Sequence, residues 1–235
     1  MEYIHTLFNR AKLIPAIVCA MSIAGTASAS VTFTNLDRRI SVPGSSDSSN
    51  NLFTQFESMV TYSEDTGGVF AGAFSRASQS SLLDNATQTL TFDGSASAGG
   101  GATGGSSSSN TLNLDFTVGA SMTAEMLLTG DIFGRNGGGI DPGSSGGIGT
   151  ARIQIFQNGN LFYNNFSGTA GTTIVNDFLT LDTGNYRLNI VLSASGFPQT
   201  NSGLGRADLT VEFIPTPGTA TIALAFGLIT TRRRR

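Results

Sequence analysis

Cysteine and histidine are nearly missing from this chain of 235 residues: Cys19 and His5 are the only ones, and both precede residue 30. Tryptophan is absent, and Lys12 is the sole lysine. From Ser30 onward there is therefore no thiol, imidazole or ammonium side chain. That excludes disulfides, zinc or iron–sulfur centres built on Cys or His, and nucleophiles activated by an imidazole. The glycine-rich stretches contain no Gly-Lys-Ser/Thr, so they do not cradle phosphate. Charge is scarce as well, at 12% of residues, about half the usual share. Between Ser30 and Ile214 stand seven Arg and fifteen Asp or Glu, a formal charge of −8. An acidic body offers no basic patch to follow a phosphate backbone, which excludes nucleic acid as a partner. Nothing in the composition calls for a cofactor.

What is present is glycine, serine, threonine and a recurring alternation of apolar with polar residues. Leu112, Leu114, Phe116 and Val118 alternate with Thr111, Asn113, Asp115 and Thr117. Tyr186, Leu188, Ile190 and Leu192 alternate with Arg187 and Asn189, and Ala207, Leu209, Val211 and Phe213 with Asp208, Thr210 and Glu212. Period two puts one set on a core face and the other in water, the mark of antiparallel sheets with one solvated side. Asn158-Gly159 lies between two apolar runs and predicts a hairpin, because both residues tolerate positive φ. The expected fold is all-β, an antiparallel β-sandwich of jelly-roll type over residues 30–213. Its best helix candidate, Ala77 to Asn85, is weak and Ser-rich. Two Gly/Ser/Ala stretches, Gly94 to Asn110 and Gly134 to Gly149, read as long flexible loops, the first with a linker near residue 100 as its alternative.

Both ends read as processing signals. In 1–29, Arg10 and Lys12 precede an apolar run, and Ala27-Ser28-Ala29 is a small-x-small site with the cut expected before Ser30. Signal peptidase is the implied partner. In 214–235, Pro215-Thr216-Pro217-Gly218 leads into thirteen uncharged residues from Thr219 to Thr231, then Arg232, Arg233, Arg234 and Arg235. Such a run is about 20 Å as a helix, against about 30 Å of bilayer hydrocarbon. The arginines would stay on the cytoplasmic side. The two prolines keep the strip before the helix extended and open to a protease.

This order of Pro-rich motif, short hydrophobic helix and terminal Arg cluster resembles the PEP-CTERM sorting signal. Thr216 stands where that family usually has Glu. The resemblance implies recognition by an exosortase-type enzyme, a transient stay in the inner membrane, removal of the tail, and delivery to the cell surface or extracellular matrix. Separately, Thr183-Gly184-Asn185-Tyr186-Arg187-Leu188 resembles, over a single strand, the "aGtYrl" edge of extracellular bacterial jelly-roll and pre-peptidase C-terminal-like modules.

For activity, the first expectation is a non-catalytic surface or matrix protein. The alternative is a carbohydrate-binding β-sandwich with extracellular polysaccharide as ligand, in which Tyr62, Tyr163 and Tyr186 are the only tyrosines of the body. A third is a carboxylate- or calcium-dependent hydrolase. Glu57, Glu64, Glu125 and Glu212 are the body's glutamates, and Asp131, Asn136, Asp141, Asp177 and Asp182 are oxygen donors near turns. No residue is assigned as catalytic, cofactor-binding or metal-ligating.

Overall fold

A computed structural model describes residues 31–63, 72–100, 105–119, 123–135, 147–168, 171–196 and 202–215. Among these residues twelve strands form two six-stranded antiparallel sheets. In sheet 1 the order is β2 (Ser45–Ser49), β1 (Val31–Val42), β6 (Ser106–Val118), β11 (Gly184–Gly196), β8 (Ile148–Gln157) and β9 (Asn160–Ser167). In sheet 2 it is β10 (Gly171–Leu181), β7 (Ala124–Arg135), β12 (Gly203–Pro215), β5 (Thr89–Gly99), β4 (Phe74–Asp84) and β3 (Phe56–Ser63). The sheets face each other as a sandwich, and one hydrophobic cluster draws on both. The expected apolar sets point inward: Leu112, Leu114, Leu188, Ile190, Leu209 and Val211 are buried. Asn158 and Gly159 have φ of 50° and 84° and join β8 to β9, the left-handed pair that matches strand twist.

The sandwich tapers. At the end where β1 begins and β12 finishes, the interior is aromatic. Phe33 meets Phe213 edge-on at 5.1 Å, Phe213 meets Phe116 at 4.9 Å, and Phe116 stacks on Tyr186 at 5.3 Å. At the other end, between β5, β8, β11 and β12, the interior is mainly Gly and Ala and the two backbones touch, while Ile40 and Val42 of β1 form a separate small cluster with Ala77 beside it. A Cβ on Gly149 of β8 would lie 2.2 Å from the Leu204 carbonyl oxygen of β12, and one on Gly205 of β12 2.3 Å from that of Thr150 in β8. Larger side chains have no space there.

This taper corrects two expectations. Most of Gly94 to Asn110 is strand where a flexible loop was expected; 101–104 lie outside the described residues. Gly94–Gly99 completes β5, paired to β4 and β12, and Ser106–Asn110 opens β6. Small residues were needed because the sheets converge, and the hydroxyls they bring are bonded: Ser106 Oγ donates to Gly99 O at 2.7 Å and Ser108 Oγ to Ser97 O at 2.9 Å. Likewise Gly134 and Arg135 belong to β7, and Ile148 and Gly149 to β8; 136–146 lie outside the described residues. A third correction concerns Ala77 to Asn85. Its residues 77–84 lie in β4, with Ala77, Gln79, Ser81 and Leu83 inward. Polar Gln79 and Ser81 on the core face hid the alternation.

The last strand runs through Ile214 and Pro215, the latter paired with Ala124, so the expected sorting strip starts on the end of β12. The signal-peptide residues Ala27, Ala29 and Ser30, the expected C-terminal helix, and Thr216, Pro217, Gly218 and Arg232 to Arg235 lie outside the described residues.

Arg38 is the largest fully buried side chain. Its guanidinium bonds backbone oxygens: Nη1 donates to Thr54 O at 2.8 Å and to Ser81 O at 3.4 Å, and Nη2 donates to Asn51 O. It also sits 5.4 Å from the Phe56 ring centroid. The arginine thereby holds the 50–55 crossover between the two sheets. Burial lowers its pKa.

Candidate functional site

The outward positions of sheet 1 carry the polar halves of the alternating runs, and strand register brings them into rows. Asn35, Asp115 and Arg187 are level on β1, β6 and β11. Arg187 grips Asp115 with both arms of its fork, Nε at 2.6 Å and Nη2 at 3.0 Å. Asn35 Nδ2 donates to the same carboxylate at 3.3 Å. The Asp115 pKa is therefore lowered, first by the Arg187 hydrogen bond, with burial opposing and Asn35 assisting. One row on, Asn189 Nδ2 donates to Asn113 Oδ1 at 2.5 Å, flanked by Asp37 and Gln154 at the same level. On the other side Thr117 Oγ1 donates to Asn185 Oδ1 at 3.0 Å.

Toward the thin end the face turns to hydroxyls. Ser41 and Ser109 are 2.8 Å apart, and Thr150 and Ser193 2.7 Å apart. Two open clefts mark the ends of this face. One of about 680 Å³ is lined by Thr34, Asp115, Phe156, Asn158, Asn185 and Arg187 among others. The second, about 480 Å³, is lined largely by serines, including Ser41, Ser107, Ser193 and Ser195. Toward the β9 side, Phe166 lies exposed with the Arg152 guanidinium 5.1 Å from its ring centroid. The face thus offers fixed amide, carboxylate, guanidinium and hydroxyl groups beside aromatic rings.

The three tyrosines of the body are engaged within the sandwich. Tyr186 is buried, and its hydroxyl donates to Asp182 O at 2.9 Å, closing the turn before its own strand. Tyr163 donates to Asp177 Oδ2 at 2.6 Å. Tyr62 packs beside Ile40, Val42 and Ala77.

The oxygen donors near turns are dispersed. Asp177 is held by Tyr163, Asp182 lies at the β10–β11 turn, and Asp131 is level with Asp208 on the outer face of sheet 2. Asn136, Asp141 and Glu64 lie outside the described residues. Among the described residues no group of three or more His, Cys, Asp or Glu could hold a metal. Glu125 and Glu212 are diagonal neighbours on the open face of sheet 2, and Glu57 sits on its edge strand β3. The sequence alone missed the rows on sheet 1. Their polar parity was visible, but which residues stand side by side depends on register between strands up to 80 residues apart.

No family model matches the chain, and no curated protein matches it. Among solved structures, TmCBM61 in complex with β-1,4-galactotriose aligns at 14% identity and a TM-score of 0.28, over 61% of this chain and 88% of that one. The GH31 α-xylosidase from Xanthomonas citri aligns at 10% identity and a TM-score of 0.28, over 79% of this chain and 18% of that one. A structure of infectious bursal disease virus, Gt strain, aligns at 12% identity and a TM-score of 0.18, over 79% and 68% of the two chains.

Proposed function

We propose that the chain is an exported, non-catalytic β-sandwich that binds extracellular polysaccharide through the outer face of sheet 1. The observation that carries this reading is the pair of locked rows, Asp115–Arg187 and Asn113–Asn189. Sugar hydroxyls come in adjacent pairs that donate and accept at once. Planar amide, carboxylate and guanidinium groups satisfy such pairs, and fixing them in advance lowers the ordering cost of binding. Phe156 supplies an apolar surface for the C–H face of a sugar ring.

Affinity electrophoresis through neutral and acidic polysaccharides, followed by calorimetry on any retained ligand, tests this. The double change Asn113→Ala and Asn189→Ala should weaken binding at least roughly tenfold, as loss of about 1.4 kcal/mol requires, with the unfolding midpoint nearly unchanged. Equal retention of the variant, or no retention on any polysaccharide, would sink the reading.

Export and sorting complete the proposal. The signal-like N-terminus, the Pro215-Thr216-Pro217 strip and the Arg232 to Arg235 cluster support secretion, a brief stop in the inner membrane and cleavage by an exosortase-type enzyme. Mass spectrometry of the secreted protein should find Ser30 as its first residue and no Arg235. A secreted form that retains Arg235 would rule out removal of the tail.

A further inference from the structure

The two flanks of the sandwich are guarded unequally. On one flank the edge strands are β2 and β3. β2 has only five residues and carries Asp47, and β3 carries Glu57. Short edges and charges are how native proteins keep strands from pairing with strangers. The other flank ends in β9 and β10. β9 has no charged residue, and the eleven residues of β10 include only Asp177, which is already bonded to Tyr163. The edge strands of this flank thus carry one charge against two on the other, so a second copy meets fewer unpaired charges along the β10 edge itself.

Side chains on the outward row of β10 are Thr172, Ile174, Asn176, Phe178 and Thr180. Ile174 is 79% exposed and Phe178 56%. Read from Asn176 outward, the row is self-complementary: a β-branched or aromatic residue stands two places away on either side, and a threonine four places away. A two-fold axis requires that pattern, since each residue must meet its mirror position.

We propose that the edge of β10 left unpaired among the described residues pairs antiparallel with β10 of a second copy about a two-fold axis through Asn176. Ile174 then packs against Phe178 of the second copy and Phe178 against its Ile174. Asn176 meets Asn176, and Thr172 meets Thr180. Aromatic–β-branched and threonine pairs are the cross-strand pairs that stabilise sheets. The two copies of sheet 2 become one continuous sheet, and the bond donors and acceptors on the β10 edges satisfy each other. The polysaccharide-binding face proposed above lies on the opposite sheet, so the dimer displays two of them.

The test is chemical cross-linking in the full chain with Cys19→Ser, where each introduced cysteine is the sole thiol. Residues opposite each other in an antiparallel pair have Cα atoms about 4.5 or 5.5 Å apart, within the roughly 4.4–6.8 Å range of a disulfide. Asn176→Cys should therefore give disulfide dimers on mild oxidation, roughly tenfold or more faster than Thr61→Cys on exposed β3, because pairing replaces chance collision. Thr172→Cys alone should cross-link slowly, and a mixture of Thr172→Cys with Thr180→Cys should give the mixed dimer. Adding Ile174→Lys to Asn176→Cys should suppress the cross-link while leaving the unfolding midpoint in place. Cross-linking of Asn176→Cys no faster than Thr61→Cys overturns the proposal. So does Thr172→Cys alone reacting as fast as Asn176→Cys, or Ile174→Lys leaving the rate unchanged.

Discussion

The Tyr163 hydroxyl donates a 2.6 Å hydrogen bond to Oδ2 of Asp177, tying edge strand β9 of sheet 1 to edge strand β10 of sheet 2. Burial, then the bond to Asp177, pushes the hydroxyl up to about 12. A proton held more tightly in the folded state gives stability that is complete below the unfolded tyrosine value, about pH 10, and is lost as pH rises through the folded one. Tyr163→Phe should cost about 1–2 kcal/mol at neutral pH. It should also lose less stability than the parent between pH 10 and 12. Urea unfolding at several pH values measures both, and identical curves for the two proteins would refute the link.

Asp115 behaves in the opposite sense. Its lowered pKa supplies stability that is present above the ordinary carboxylate value, about 3.9, and lost as pH falls through the folded one. Asp115→Asn should therefore show a flatter decline in stability below pH 4. Thermal unfolding across an acid series checks this, and parallel declines would show that the Arg187 clasp is inert.

Two glycines separate crowding from backbone conformation. Gly159 sits in a turn at φ +84° with nothing within 4 Å of a built Cβ. Gly159→Ala should cost about 1 kcal/mol for the left-handed backbone. Gly205 has ordinary φ, but its Cβ would strike Thr150 O at 2.3 Å. Gly205→Ala should cost roughly 2–3 kcal/mol by pushing the sheets apart. If denaturant titration ranks the two the other way, the thin end is not close-packed.

Arg38→Ala should be more damaging, at roughly 3–5 kcal/mol, because it orphans the carbonyls of Asn51, Thr54 and Ser81 and leaves a void. Arg38→Lys should recover only part of that, since an ammonium cannot span three oxygens as a fork does. A stable Arg38→Ala protein with intact 50–55 packing, seen by amide exchange, would contradict this role.

The strands at the aromatic end were plain in the sequence, because Leu112 to Val118 and Ala207 to Phe213 alternate cleanly between oily and wet. The thin end was not. Gly94–Gly99 and Ser106–Asn110 look like linker by composition. What makes them strands is a neighbour in the opposite sheet too close for anything larger, as Gly196 against Gly99 shows. That constraint is tertiary and leaves no periodic trace. The same holds for the candidate face. Arg187 and Asn189 were legible as a polar side, but their bonds to Asp115 and Asn113 follow from register across β6 and β11.

Val31 and Pro215 leave the sandwich on the same side, beside the contact of Phe33 with Phe213. Tension between those points would peel β1 and β12 from their neighbours one rung after another, the mechanically soft direction, instead of shearing whole ladders at once. A molecule tethered by its C-terminus alone escapes that weakness, for its other end then carries no load.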